Sequence, residues 1–236
     1  RVVVEATLDI PDLLEPAVAR LLSLPGRGEL GLNDLHLRAG RTPDPERDDE
    51  VLANEAFAAA HGFRPGDRVT AILHGRRRSL SISGIALSPE YVYQIRPGSL
   101  FPDDRRFGVF WMPYPALAAA FDLDGAFNDV CLALTPGANE AEVLRRLDDL
   151  LARYGGTGAH GRSEQTSHRY VSDEIRQLRG MALVPPAIFL SVAAFLLHIV
   201  LARLVQKQRE QIGVLKAFGY GARALGRHYL GMVALV

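Results

Sequence analysis

Cysteine is almost absent from this chain of 236 residues, because Cys131 is its single example. One cysteine excludes an internal disulfide framework and any metal site built from several thiolates. The sequence also lacks the G-x-x-x-x-G-K-S/T phosphate loop, the H-E-x-x-H zinc motif and the G-x-S-x-G nucleophile motif. The seven histidines are scattered without the spacing of metal ligands. We therefore predict no catalytic, metal-binding or cofactor-binding residue in this chain.

One glycine-rich string does fit a nucleotide motif, since residues 26–31 read G-R-G-E-L-G. A dinucleotide site needs a strand before this string and a helix after it. Here the apolar residues of 11–24 recur at helical spacing, which predicts a helix before the string. Pro25 then interrupts the chain. We therefore predict a loop at residues 26–31.

Net charge is also lacking, because 27 Lys and Arg balance 27 Asp and Glu. This balance disfavours a nucleic-acid-binding protein. The charge is unevenly distributed, however, since residues 203–236 contain six Lys or Arg and one Glu. Basic flanks of membrane helices lie preferentially in the cytoplasm. This rule places the C-terminal end in the cytoplasm and residues 1–170 on the outer side.

Residues 180–202 contain no formally charged side chain. At about 1.5 Å per residue, these 23 residues form a helix of roughly 34 Å, which matches a hydrocarbon layer of roughly 30 Å. We predict a transmembrane helix with a periplasmic extension over residues 171–205. The alternative is a soluble enzyme with a buried central helix, which requires protein to cover this segment.

The outer region predicts an α+β domain with mixed or antiparallel strands. Period-two alternation predicts a hairpin of strands at 68–73 and 79–85, and further strands are predicted at 2–8, 107–111 and 129–134. Residues 50–60 predict a short strand followed by a helix, and Asn139 is expected to cap another helix. We read residues 1–170 as this domain.

Residues 206–221 predict a short amphipathic helix that leaves the membrane and turns back. Ile212, Leu215 and Phe218 recur at a spacing of three, which places them on one face. Gly219 is expected to end this helix, and Gly213 is expected where another backbone approaches closely. The plainer interpretation is an interfacial linker helix. Residues 222–236 then predict the start of a second transmembrane helix.

Residues 209–219 read R-E-Q-I-G-V-L-K-A-F-G, which closely resembles the R-R-E-I-G-V-L-K-A-L-G signature of FtsX-like ABC transporter permeases. The outer region more loosely resembles the MacB-type periplasmic core domain. Residues 40–43, 50–56, 62–67 and 83–85 fit its run "G-R-x-P … E-V … G-x-x-x-G-D … V-x-G-I". Such a permease has a transmembrane helix before the position of Arg1 and further helices after Val236, so we expect a truncated fragment.

The resemblance implies a non-catalytic membrane subunit in the bacterial inner membrane, with its N-terminal domain in the periplasm. ATP would be bound and hydrolysed by a separate ABC-type ATPase subunit, and this chain would need no cofactor. Further implied partners are a second permease subunit, in a homodimer or heterodimer, a periplasmic adaptor protein and membrane lipids. The short cytoplasmic helix would dock on the ATPase. The implied coupling residues are Glu210, Ile212, Gly213, Leu215, Lys216 and Gly219.

Within this set, Ile212 and Leu215 would fill an apolar groove, while Glu210 and Lys216 would set the register by charge. A rival from another class is a signalling receptor with an outer sensor domain, one span and a cytoplasmic output module. A receptor would continue into soluble signalling helices. The second apolar run after Ala222 favours the permease.

Overall fold

The computed structural model describes residues 1–11, 13–25, 32–99 and 101–233. The chain divides into two compact units, Arg1–Glu174 and Ile175–Val236. We call the first the sheet unit and the second the helical unit. The glycine-rich string at 26–31 lies outside the described residues, as do the last three residues of the second apolar run.

Among the described residues, the sheet unit contains seven strands, three complete α-helices and the start of a fourth α-helix. The strands are β1 (Val3–Asp9), β2 (Ala17–Leu24), β3 (His36–Gly40), β4 (Glu50–Asn54), β5 (Arg68–Leu73), β6 (Arg76–Leu87) and β7 (Phe107–Pro113). The helices are α1 (Glu55–His61), α2 (Tyr114–Ala120) and α3 (Glu140–Leu151). The side chain of Asn139 accepts a hydrogen bond from the backbone N–H of Glu142, which confirms the predicted cap.

The strands form one sheet in the order β3-β6-β4-β7-β2-β1-β5, and β5 also pairs with β6. Strands β6, β4, β7, β2, β1 and β5 therefore form a closed ring, and among the described strands β3 pairs only with β6. Strand β6 closes it because its first half pairs with β5 and its second half with β4. The β2–β7 and β4–β6 pairs are parallel and the others antiparallel. This mixed sheet with helices confirms the predicted α+β class.

Side chains alternate between two apolar clusters on opposite faces of the sheet, as the pleat of a strand requires. One cluster joins Leu21, Val51 and Leu80 to Phe57 of α1 and Leu117 of α2. The other cluster, called here the outer cluster, contains Leu22, Leu52, Ala86, Phe107, Val109 and Trp111, with Tyr91 packed against it. Two buried faces make the central strands apolar almost throughout.

This double burial explains why the predicted helix at 11–24 is wrong. The structure has strand β2 there, hydrogen-bonded to β1 on one edge and to β7 on the other. A short run that is apolar on both faces fits the helical period as well as the strand period. Pairing with β1 and with β7, which is distant in sequence, stabilises the strand conformation here over the helix.

The predicted strand at 129–134 is also wrong, since these residues belong to no described strand. Asp129 exchanges backbone hydrogen bonds with Arg1, at 3.1 and 3.3 Å. No described strand lies alongside the residues that follow. The apolar side chains of Val130, Leu132 and Leu134 consequently stay exposed.

The helical unit consists of most of α4 (Thr166–Lys207), with α5 (Arg209–Ala217) and α6 (Ala222–Val233). Helix α4 has 42 residues and begins inside the sheet unit. Every residue from 173 to 200 is exposed, although most of these side chains are apolar. By length and composition, α4 is the one helix among the described residues that could cross a membrane.

The aromatic contact of Phe57 generates a stability prediction. Its ring is fully buried and lies 5.3 Å from the ring of Phe110. We expect Phe57→Ala to lower the free energy of unfolding by about 3–5 kcal/mol, because it leaves a cavity in the core. Urea unfolding in detergent, followed by the fluorescence of the single tryptophan, Trp111, measures this change. The matched control is the exposed Phe101→Ala, expected within about 0.5 kcal/mol of the wild type. Equal effects of the two substitutions would contradict the assignment of Phe57 to the core.

Candidate functional site

The segment predicted to carry the function is helical in the structure and follows α4 almost without a break. Gln208 separates α4 from α5, and its backbone carbonyl accepts a hydrogen bond from the Ile212 N–H at 3.0 Å. The backbone N–H of Gln208 in turn donates to Leu204 at 3.0 Å. The six residues named for coupling therefore lie together on α5 and its C-terminal turn.

The end of α5 gives Gly219 a structural role. Its φ of +91° is in the left-handed region, which residues with a Cβ rarely occupy. The Tyr220 N–H donates to the Leu215 carbonyl at 3.2 Å, and the Gly219 N–H donates to the Lys216 carbonyl at 3.0 Å. These two bonds form a Schellman motif, which ends a helix and reverses the chain. Helix α6 begins three residues after Gly219.

The apolar side chains of α5 are only partly covered. Leu215 is 37% exposed and Phe218 is 79% exposed, whereas Ile212 is half-buried. Val214 adds a further exposed apolar side chain. A short helix with this much free apolar surface can bury it in a lipid interface or in a groove of another protein.

The charged coupling residues have no ionic partner within the part of the chain that the structure describes. Glu210 and Lys216 are both exposed, and neither forms an ion pair with a described residue. A Cβ added to Gly213 would meet nothing within 4 Å. The close backbone approach expected at Gly213 is therefore not made within the described chain.

The motif residues of the sheet unit surround one buried carboxylate. Glu50 is 2% exposed, and its two oxygens accept hydrogen bonds from the Arg41 guanidinium at 2.7 and 2.5 Å. The Asp44 N–H donates to the same carboxylate at 3.0 Å. The hydrogen bonds from Arg41, helped by that from Asp44, hold the pKa of Glu50 below its ordinary value, against the effect of burial.

Two glycines of the same motif allow backbones to approach closely. A Cβ on Gly40 would lie 2.3 Å from the Ser83 carbonyl oxygen, and one on Gly84 would lie 2.7 Å from the Arg41 carbonyl oxygen. The turn at residues 62–67 also contacts β6, since the Gly66 N–H donates to the Ile82 carbonyl at 2.8 Å. The four motif segments therefore meet along β6, where they hold the sheet together.

A cleft of about 740 Å³ opens on another side of the sheet unit. At its floor the Arg1 guanidinium donates to both carboxylate oxygens of Glu90, at 2.7 and 2.6 Å, and also pairs with Asp129. One wall is the apolar side of α3. Sequence reasoning missed this cleft because Arg1 and Glu90 are 89 positions apart and neither stands in a motif.

Cys131 also lines this cleft. Burial raises the pKa of its thiol above the ordinary value, with the nearby carboxylates of Glu90 and Asp129 adding to the increase and Arg1 opposing it. A higher pKa reduces the thiolate fraction at neutral pH, which makes this thiol a poor nucleophile.

A scan against protein-family models finds no match, and neither does a search of the curated proteins. A search of solved structures finds the crystal structure of a domain of a candidate permease protein from Porphyromonas gingivalis. The two chains are 16% identical with a TM-score of 0.33, over 70% of this chain and 73% of the other. A similarity of this size decides neither the fold nor the function, which rest on the residues described above.

The buried carboxylate generates a pH-dependent stability prediction. We expect Glu50→Gln to lower the free energy of unfolding by about 1–3 kcal/mol at pH 7, because a charge-assisted hydrogen bond is weakened in a buried place. Since folding lowers the pKa of Glu50, its stabilisation is present above the unfolded pKa of about 4.3 and is lost as the pH falls through the folded pKa. The difference between wild type and variant should therefore shrink below about pH 4.3.

Urea unfolding is measured at neutral pH and again at a pH below the reference glutamate pKa of about 4.3. The free energies of unfolding of wild type and variant are compared at each pH. The control is Glu55→Gln, whose side chain pairs with Arg38 at 2.9 Å in an exposed position. That variant should differ from the wild type by less than about 1 kcal/mol. A Glu50→Gln effect that does not change with pH would show that the carboxylate charge is unimportant.

Gly213 and Gly219 should respond in opposite ways to alanine. Gly219→Ala should destabilise the end of α5 by about 1–2 kcal/mol because of its positive φ. Gly213→Ala should stabilise α5 by up to about 1 kcal/mol, since its surroundings are open. Amide hydrogen exchange of residues 209–217 in detergent measures both effects. A destabilising Gly213→Ala would reveal a contact at this position within the chain itself.

Proposed function

We propose that this chain is a membrane subunit of an ABC transporter, similar to the FtsX-like and MacB-like permeases. In this proposal a separate ATPase subunit binds and hydrolyses ATP, and α5 docks on that subunit. Movement of α4 then changes the conformation of the sheet unit on the outer side of the bacterial inner membrane, so that a substrate is exported or extracted. The chain itself performs no catalysis and binds no cofactor.

The observation that carries this proposal is the exposure of α4. Residues 180–202 have no formal charge, and the apolar side chains between 173 and 200 are exposed within the described structure. Burying apolar surface gains roughly 25 cal/mol per Å², so a bare helix of this length is unfavourable in water. A lipid bilayer supplies the missing apolar surroundings. The same exposure argues against the soluble enzyme, whose central helix would be covered by protein.

The form of α5 supports docking on a second protein. Its free apolar face contains Leu215 and Phe218, and the charged side chains of Glu210 and Lys216 on the same helix are also exposed. Helices with an apolar face and charged borders commonly bind in grooves, where charge complementarity fixes the register. The open space around Gly213 leaves room for a partner backbone.

The start of α6 favours a permease over a signalling receptor. The Schellman motif at Gly219 turns the chain, and α6 follows over Ala222–Val233. A second apolar run directly after this turn suits a protein with several spans. A receptor would instead continue into a soluble output domain.

The test is co-purification of the full-length protein in detergent, with its bound proteins identified by mass spectrometry. We expect a stoichiometric ABC-type ATPase in the wild type and its loss in Leu215→Asp, because a buried carboxylate has no partner in an apolar groove. Gly213→Trp should cause the same loss by filling the space of the partner backbone. The control is Leu150→Asp on α3, where the leucine is 59% exposed and lies in the sheet unit.

A stable ATPase complex that survives both substitutions would show that α5 is not the docking helix. If the wild type brings down no ATPase and continues into a kinase or cyclase domain after residue 236, the receptor interpretation replaces the permease.

A further inference from the structure

The first turns of α4 are fastened to a loop of the sheet unit. We call residues 166–174 the foot of α4 and residues 88–95 the clasp loop; both lie within the sheet unit. Just before the foot, the side-chain amide of Gln165 donates to the Glu90 carbonyl at 2.6 Å. The clasp loop directly follows β6 in the chain.

Tyr93 of the clasp loop contacts the foot at three points. Its backbone N–H donates to Ser167 Oγ at 3.0 Å, and its hydroxyl donates to Glu174 Oε2 at 2.6 Å. Its ring lies 4.8 Å from the ring of Tyr170. Positions 167, 170 and 174 recur at a spacing of three and four, so they share one face of the helix. Tyr93 therefore holds two successive turns of α4.

The clasp loop is itself fixed to the sheet, although it has no regular secondary structure. Tyr91 packs against the outer cluster, and burial raises its pKa to about 12. Gln94 and Ile95 are buried, at 2% and 9% exposure. The carboxylate of Glu90 is held by Arg1. The clasp loop is therefore anchored to the face of the sheet where the outer cluster lies.

The covalent path between the sheet and α4 runs through a glycine-rich segment. The chain enters α4 through residues 155–161, which read G-G-T-G-A-H-G. Gly155 and Gly158 have φ values of +80° and +107°, and a Cβ at either would meet nothing within 4 Å. Other parts of the segment are held against α3, since the Ala159 N–H donates to Asp148 Oδ1 at 2.6 Å and a Cβ on Gly161 would collide with the Glu140 carboxylate.

We propose that Tyr93 is the positioning residue through which movement of α4 enters the sheet unit. The inference rests on the proposed function, because it assumes that an ATPase moves α4. On the helix, Tyr93 contacts Ser167, Tyr170 and Glu174. In this proposal the clasp loop transmits the displacement of α4 to β6 and the outer cluster. Without the contacts of Tyr93, α4 would still move, but its movement would no longer reach the clasp loop directly.

The test uses the full-length protein with its co-purified ATPase in lipid nanodiscs. Hydrogen exchange of backbone amides is compared without nucleotide and with ATP plus vanadate. In the wild type we expect a nucleotide-dependent change in exchange at residues 88–95. In the double variant Tyr93→Phe/Ser167→Ala this change should fall at least about fivefold. Each lost hydrogen bond contributes roughly 0.5–1.5 kcal/mol to the attachment of the foot, which is a severalfold change in its equilibrium constant. ATP hydrolysis and ATPase co-purification should persist.

Two controls separate the clasp from general loss of stability. Tyr114→Phe removes a hydroxyl that donates to the Ala126 carbonyl at 2.8 Å, elsewhere in the sheet unit, and Tyr154→Phe changes an exposed ring. Both should keep the wild-type response. In the absence of nucleotide, amides 167–174 should exchange about fivefold faster in the double variant than in either control.

An unchanged nucleotide response in the double variant, with the ATPase still bound, would overturn the role proposed for Tyr93 and leave the proposed function intact. Unchanged exchange at 167–174 without nucleotide would also overturn it, because Tyr93 would then not hold the foot. Failure of the wild type to bind any ATPase would instead overturn the proposed function, and the inference with it.

Discussion

The sheet unit depends on strand β6 pairing along both of its edges. The pairing with β5 and β4 closes the ring, and the same strand carries β3. Such close packing is possible because Gly84 has no Cβ and the backbones of Ala39 and Arg41 fill that space. The buried Glu50 then ties Arg41 to the start of β4. Closure, the motif residues and the position of the clasp loop after β6 all follow from this one strand.

The two units obtain their stability from different surroundings. The apolar clusters of the sheet unit are covered by its own strands and short helices, so its core is formed entirely within the unit. The helical unit leaves nearly all of its apolar side chains exposed and needs an apolar environment from outside. The two units are therefore adapted to different environments, one with a covered core and one with an exposed apolar helix.

Local patterns predicted the elements that are stabilised locally. The hairpin of β5 and β6 and the strand and helix at 50–61 were predicted because their periodicity and turn residues lie within a few positions. The two errors, at 11–24 and at 129–134, have another origin. Pairing with the distant strand β7 stabilises β2 at residues 17–24, whereas residues 129–134 have no described strand beside them. Within the candidate site, the helix and its apolar face could be predicted, and so could the end at Gly219. The Arg1–Glu90 pair and the Tyr93 contacts could not, since each joins residues more than 70 positions apart.

The parallel pairing of β2 with β7 has a consequence for the order of folding. Val18 pairs with Phe107, so this part of the ring forms only when about 90 intervening residues are available. During synthesis, the edge of β2 that pairs with β7 therefore stays unpaired until β7 has been made, whereas β1 is available from the start. Non-local pairings of this kind fold slowly and leave strand edges free for association with other chains. Truncation of the chain before residue 113 should consequently yield aggregates.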